Sequence, residues 1–128
     1  MNQEERKRQI IQNYIQAYNA FDVAGMIQDL HPNVIFENRA GGEVTFRTEG
    51  ISAFRKQAEQ AKTYFTERKQ QLESIDFRGD VVEASINYCG VLAADLPNGM
   101  KAGDELTLQG KSIFYFKDGK IIKLQDIS

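Results

Sequence analysis

Hydrophobic spacing divides the chain into a helical first part and a strand-rich second part. In the segment ERKRQIIQNYIQAYNAF, apolar residues recur every three or four positions, which predicts an amphipathic helix. A short second helix, capped by Asp22, ends at His31-Pro32. A third helix begins at Thr48 or Ser52. Its apolar side is formed by Ile51, Phe54, Ala58, Ala61 and Phe65.

A period of two residues marks the predicted strands. NVIFEN places Val34, Phe36 and Asn38 on one face, and residues 43–47 pair back as a short strand after a glycine turn. Further strands are predicted at 68–77, 81–94, 106–117 and 120–127, and Asp118-Gly119 is a strong hairpin signal between the last two. Helices followed by an antiparallel meander predict an α+β fold, in which a curved sheet wraps the helices and encloses a space.

Composition restricts the possible classes of function. The chain has 128 residues, with 41% hydrophobic and 27% charged residues, and residues 1–128 are predicted to form a single domain. Its net charge of -2 comes from interspersed residues of both signs, so we expect no nucleic-acid partner. The single cysteine, Cys89, excludes an internal disulfide framework and is expected to be inert. No signal peptide or long apolar segment is evident, so we expect a cytoplasmic protein without membrane contact.

Four polar side chains share a periodic face with apolar residues. Tyr14 belongs to the apolar stripe of the first helix, Asn38 continues the face of Phe36, Ser112 shares a face with Phe114, and Asp126 shares one with Leu124. Burying such groups without partners costs about 1–3 kcal/mol each, and more for a charge. They should therefore meet one another or face a wet cavity.

Each of these positions also has a simpler interpretation. A tyrosine in a helical stripe can be a core residue, and an asparagine beside a turn can bond its own backbone. Ser112 is small enough to fill space, and a carboxylate near the end of the chain can reach water. Their coincidence on four separate elements favours a shared site.

No phosphate-binding loop, dinucleotide fingerprint or metal-ligand spacing occurs in the sequence. His31, the single histidine, lies before a proline at the predicted helix end and is interpreted as a cap. We therefore expect no cofactor and no metal, and any catalysis would be cofactor-free proton transfer.

Three stretches resemble a known superfamily: IIQNYIQAYNAFDVAGMIQDLHPNVIFEN, TEGISAFR and GKSIFYFKDGKIIKLQD. They are similar to the SnoaL-like and ketosteroid isomerase-like branch of the nuclear transport factor 2-like superfamily. The resemblance implies a cone-shaped fold, with N-terminal helices packed on a strongly curved antiparallel β-sheet that encloses a pocket. It also implies a homodimer formed through the outer sheet face, where Val81, Val91, Ile113 and Tyr115 are apolar.

The resemblance implies roles for individual residues. Tyr14 matches the oxyanion-binding tyrosine of the isomerases, but Asn38 stands where they have the aspartate base and Ser112 where they have a second oxyanion donor. Because an amide cannot accept that proton, steroid isomerisation by that route is not expected. Asp126 matches the acid/base aspartate of the SnoaL-like cyclases, although Leu124 and Gln125 replace the usual aromatic or histidine neighbours.

The sequence thus leads to a hypothesis and an alternative. The hypothesis is a protein that binds a small hydrophobic molecule and acts as an isomerase or cyclase, with Asp126 and Tyr14 catalytic. Five further residues are expected to bind the substrate: Asn38, Ser112, Phe36, Phe114 and Leu124. The alternative is a module of the same fold without catalysis, which binds a ligand or another protein.

Overall fold

Three helices pack on one face of a six-stranded sheet in the computed structural model, which describes residues 2–128. The helices are α1 (Gln3–Asn19), α2 (Val23–Ile27) and α3 (Ile51–Ala61), and a short 3-10 turn (Lys62–Tyr64) follows α3. The strands are β1 (Leu30–Ala40), β2 (Glu43–Glu49), β3 (Phe65–Arg78), β4 (Val81–Leu92), β5 (Glu105–Lys117) and β6 (Lys120–Ile127). The predicted α+β class is confirmed.

The strands are arranged in the order β2-β1-β6-β5-β4-β3. All neighbours are antiparallel except β1 and β6, which pair in parallel. The predicted meander therefore holds for β3 to β6, and its last strand returns to lie beside the first. This return brings the end of β6 next to the end of β1, although the two are far apart in the sequence.

The predicted stripe of α1 is the side that packs on the sheet. Its buried residues are Ile10, Ile11, Tyr14, Ile15 and Ala17. The carboxylate of Asp22 accepts a hydrogen bond from the Gly25 amide at 3.0 Å, so its predicted role as the cap of α2 is confirmed. The core between helices and sheet contains side chains with almost no exposure: Ile11, Val34, Phe54, Val82, Phe114, Ile121 and Leu124.

Several predicted boundaries are wrong. His31-Pro32 lies within β1 and does not end α2, and the His31 ring nitrogen Nδ1 accepts a hydrogen bond from the Asn33 amide at 3.0 Å. His31 is therefore not a helix cap. The third helix begins at Ile51 without a side-chain cap, and it ends before Phe65, which opens β3. Phe65 continued the helical spacing only by coincidence.

Irregularities in the strands change which residues face the core. In β3, a register shift between Leu72 and Ser74 alters the phase of the strand. In the β5–β6 pair, a shift between Tyr115 and Phe116 makes Ile121 the fully buried residue, where the simple alternation predicts Ile122. None of the helices in the described part of the chain is long and apolar enough to cross a membrane.

Close packing in the middle of β5 supports the end of β6. A Cβ atom added to Gly110 would lie 2.6 Å from the Ile127 carbonyl oxygen, which is backbone and cannot rotate away. We expect Gly110→Ala to lower the free energy of unfolding by about 1–3 kcal/mol, because one strand must shift. Urea unfolding measures this loss, and Gln109→Ala, at the exposed neighbouring position, is the matched control. Equal stability of the two variants would show that β6 adapts freely.

Candidate functional site

A row of polar side chains crosses three neighbouring strands at the open end of the sheet. Asn38 on β1 lies directly opposite Asp126 on β6, and Asp126 lies directly opposite Ser112 on β5. The next row toward the core is apolar, with Phe36, Leu124 and Phe114 opposite one another in the same way. The two-residue period of three aligned strands thus places a polar site on an apolar floor.

Asp126 is the acidic group of this row. Its Oδ1 atom accepts a hydrogen bond from the Ser112 hydroxyl at 2.8 Å. The residue is half-buried because it faces a cavity, but protein atoms surround the carboxyl group. This desolvation raises the pKa of Asp126 from its ordinary value of 3.8 to about 6, and the Ser112 hydrogen bond acts in the opposite direction.

Tyr14 approaches the site from α1. It is 6% exposed, and its ring contacts Phe114 edge-on, with 6.0 Å between the ring centroids. Burial, and then the negative charge of Asp126, raise the pKa of Tyr14 well above its ordinary value. The hydroxyl therefore keeps its proton at neutral pH and can act as a hydrogen-bond donor.

A cavity of about 330 Å³ lies between the helices and the sheet. Tyr14, Phe36, Asn38 and Asp126 line it, together with apolar residues that include Phe54. A second cavity of about 290 Å³ opens toward the ends of β1 and β6. The two cavities share Tyr18, Asn38, Tyr88 and Asp126 in their walls. Asp126 therefore borders both spaces.

The structure places the seven predicted site residues in three groups. Tyr14, Asn38, Phe36 and Asp126 line the inner cavity, and Ser112 lines the second cavity beside Asp126. Phe114 and Leu124 line neither cavity, since they are 1% and 0% exposed and pack beneath the polar row. They support the site from below.

Sequence reasoning missed two tyrosines and an arginine that also line the inner cavity. The Tyr18 hydroxyl donates a hydrogen bond to the Tyr88 hydroxyl at 3.0 Å. Tyr18 follows Tyr14 by one helical turn, so its position on the same side of α1 was available as a signal. Arg68, on β3, is 6% exposed and has no comparable signal in the sequence.

The arginine holds the end of α1 against the sheet. Arg68 Nε donates a hydrogen bond to the Tyr18 carbonyl at 3.0 Å. Its guanidinium lies over two rings, at 3.7 Å from the Tyr18 centroid and 4.6 Å from the Phe21 centroid. This cation therefore interacts with a helix C-terminus and with aromatic faces, both of which are electron-rich.

The described residues contain no group of three histidine, cysteine, aspartate or glutamate side chains that could hold a metal ion. Cys89 is exposed on β4 and does not line the inner cavity. The polar side chains that line the inner cavity carry a carboxyl group, three hydroxyl groups, two amides and a guanidinium.

A family model for the SnoaL-like domain matches residues 11–124. The chain belongs to the SnoaL-like domain family. The match includes most of the helices and all of the strands except the end of β6, and it confirms the resemblance to the nuclear transport factor 2-like superfamily. Asp126 lies just beyond the matched residues.

Solved structures confirm the cone-shaped fold of this SnoaL-like domain. A candidate polyketide cyclase from Xanthomonas campestris pv. campestris superimposes with a TM-score of 0.84 at 21% identity, over 97% of this chain and 90% of that one. A candidate SnoaL-like polyketide cyclase from Jannaschia sp. CCS1 gives 0.81 at 12% identity, over 95% and 84% of the two chains. IdmH, a candidate polyketide cyclase from Streptomyces antibioticus, gives 0.76 at 14% identity, over 94% and 89%. No curated protein sequence matches the chain.

The raised pKa of Asp126 predicts a stability that falls as the pH rises. Below the ordinary pKa of 3.8 the carboxyl is neutral in both states, whereas above about pH 6 the folded protein must hold a desolvated charge. We expect the free energy of unfolding of Asp126→Asn to exceed that of the wild type by about 1–3 kcal/mol at high pH. At low pH the two values should differ little. Urea unfolding of both proteins across this pH range measures the difference. A difference that does not change with pH would contradict the shifted pKa.

Proposed function

We propose that this SnoaL-like domain binds a small hydrophobic carbonyl compound and catalyses cofactor-free isomerisation or cyclisation by moving a proton next to the carbonyl. The observation that carries the proposal is Asp126, whose pKa is raised to about 6 in the wall of a cavity that Tyr14 and Asn38 also line. A carboxylate with a pKa close to neutral is a stronger base than an ordinary aspartate, and it still regains its proton readily.

The proposed step uses Asp126 as the base. Its carboxylate takes a proton from the carbon next to the carbonyl, and the electron pair of that C–H bond moves into the C–C bond as the carbonyl oxygen becomes an enolate oxygen. Tyr14 donates a hydrogen bond to that oxygen, which stabilises the developing charge. Asp126 then returns the proton to another carbon in an isomerisation. In a cyclisation, the enolate carbon attacks a second carbonyl, and the proton goes to the new alkoxide.

Two further residues are proposed to orient the substrate and the base. The Ser112 hydroxyl donates to Asp126 Oδ1, so it fixes the carboxyl group and limits the rise of its pKa. Asn38 lies beside Asp126 in the strand register and can bind a substrate oxygen or hydroxyl with its amide. Phe36 provides an apolar contact at the cavity wall.

The size and lining of the cavity support a substrate with one or two rings. A volume of about 330 Å³ lies at the lower end of the range for small-molecule pockets, and the adjoining space at Asp126 extends it. The structural relatives from Xanthomonas campestris and Jannaschia are candidate polyketide cyclases, which supports a substrate of the polyketide type.

A role as a dimerisation module is the second candidate, and the outer sheet face supports it. Val81, Val91, Ile113 and Tyr115 lie on this face and are half-buried within one chain. Beside them, the Tyr115 hydroxyl donates to the Gln125 side chain at 2.9 Å, and Gln125 donates to Glu37 at 2.8 Å. We propose that two chains pair through this ordered, partly apolar face, whether or not the cavity is catalytic.

Loss of the base is expected to remove proton transfer. The assay is exchange of the acidic C–H protons of β-tetralone, a hydrophobic bicyclic ketone, for deuterium in D2O, followed by NMR. We expect the wild type to accelerate exchange, Asp126→Asn to lose about a hundredfold or more, and Tyr14→Phe to lose a similar factor. Asp118→Asn, an exposed aspartate at the turn before β6, is the matched control and should leave the rate unchanged.

The pH profile of the same assay identifies the base. Because the carboxylate is the active form, the rate should rise with pH and level off above about pH 6. Ser112→Ala removes the hydrogen bond that lowers the pKa of Asp126. The pH at which the exchange rate reaches half of its maximum should therefore be higher in this variant. Exchange by Asp126→Asn at the wild-type rate would disprove the mechanism. Absence of exchange activity in the wild type would favour the non-catalytic dimerisation module.

The dimer is tested by sedimentation of the purified protein at micromolar concentration. We expect a dimer for the wild type and a monomer for Ile113→Glu, because a charge in the middle of the outer face would lose its water when two chains pair. Gln12→Glu, on the exposed side of α1, is the control and should remain a dimer. A monomeric wild type would exclude this interface.

A further inference from the structure

Arg68 is a buried cation that forms no ion pair within the described part of the chain. It is 6% exposed, and its Nη2 atom is inaccessible and without a hydrogen-bond partner. No carboxylate between residues 2 and 128 forms an ion pair with it. Buried charges are normally paired, because a desolvated cation without an anion is costly. The side chain lines the inner cavity, so an anion bound there would balance the charge of the guanidinium group.

Asp126 does not supply that partner, although it lines the same cavity. A guanidinium paired with this carboxylate would hold its pKa below the ordinary value, whereas the pKa of Asp126 is raised to about 6. The groups that do sense the charge of Arg68 are three tyrosine hydroxyls, since Arg68 lowers the pKa values of Tyr14, Tyr18 and Tyr88 against the larger effect of burial. Arg68 thus lies among neutral donors that can also bind an anion.

The surroundings of Arg68 define the rest of a ligand. The apolar part of the cavity wall includes the aromatic and aliphatic side chains of Met26, Phe54, Ala58, Phe65 and Leu106. These surfaces bind an apolar body by excluding water. At the second cavity, Arg39 adds another cation to the wall. The site therefore combines an apolar interior with positive charge.

We propose that Arg68 binds the carboxylate of a hydrophobic monoanion in the inner cavity. The natural substrate would then be an apolar ring compound with one carboxylate, held at Arg68 so that its reactive carbonyl faces Asp126 and Tyr14. This assignment names the substrate class for the proposed proton-transfer site. Only the orientation of the reactive carbonyl toward Asp126 and Tyr14 rests on the proposed function. Binding of the anion itself does not require that any reaction occurs.

A purely structural role for Arg68 is the competing explanation. Its Nε hydrogen bond to the Tyr18 carbonyl and its stacking on Tyr18 and Phe21 fasten the end of α1. Loss of these contacts would destabilise the protein and weaken every ligand alike. The ratio of affinities for a charged and an uncharged ligand of the same shape separates the two roles, because a structural effect leaves this ratio unchanged.

Matched pairs of ligands measure that ratio by isothermal titration calorimetry. The pairs are benzoate with benzamide, naphthalene carboxylate with naphthalene carboxamide, and indole acetate with indole acetamide. For at least one pair we expect the wild type to bind the carboxylate at least about tenfold more tightly than the amide, the scale of one charge-assisted contact. Arg68→Gln should abolish this preference, and Arg68→Lys should retain part of it. Lys69→Gln, an exposed cation at the next position of β3, should retain all of it.

The possible outcomes decide the proposal separately from the catalytic one. Equal affinity for acid and amide in every pair, absence of binding in every pair, or a preference that survives in Arg68→Gln would overturn the assignment of Arg68. If Arg68→Gln does not fold, Arg68→Lys decides the question. A preference for the carboxylate that is reduced in Arg68→Lys supports the assignment, and an undiminished preference overturns it. Carboxylate preference without any deuterium exchange would uphold the anion site and refute the proton-transfer function.

Discussion

The parallel pairing of β6 with β1 is the contact on which the site depends. Every other neighbour in the sheet is antiparallel and is joined by hairpins or short connections, but this pair brings together strands that are about ninety residues apart in sequence. It sets Asn38 opposite Asp126, while the β5–β6 hairpin sets Ser112 opposite the same residue. One aligned row of polar groups therefore arises from three strands, and a slip of one residue would turn Asp126 to the outer face.

The energetic consequence of this row is a carboxyl group held in an environment that opposes its charge. The apolar row beneath it, with Leu124 and Phe114 almost completely buried, excludes water from one side, and the helices cover another. A single hydroxyl donor, that of Ser112, is too little to offset the desolvation, so the pKa rises. The buried carboxyl group thus lowers the stability of the folded protein while it makes Asp126 a stronger base. Functional sites commonly show this trade-off between stability and reactivity.

How far the sequence predicts this arrangement depends on the regularity of each strand. Residues 35–38 of β1 and the end of β6 alternate regularly, so the inward positions of Phe36, Asn38 and Asp126 follow from their phase. β3 does not alternate regularly. Counting back from Ile75 and Phe77 would place Arg68 on the outer face, but the shift between Leu72 and Ser74 reverses the phase and turns Arg68 inward. A bulge of this kind has no signature in one sequence, and for that reason Arg68 escaped prediction.

The separation of Asp126 from Arg68 has a chemical consequence. Two opposite charges that line one cavity would ordinarily form an ion pair, which would lower the pKa of the acid and satisfy the guanidinium. Tyr18 of α1 prevents this, since Arg68 is held against the ring and carbonyl of Tyr18 while Asp126 bonds to Ser112. Because neither charge neutralises the other, the cavity keeps both a proton acceptor and an uncompensated cation. A helix packed across the sheet thus keeps two reactive groups available that would be inert as a pair.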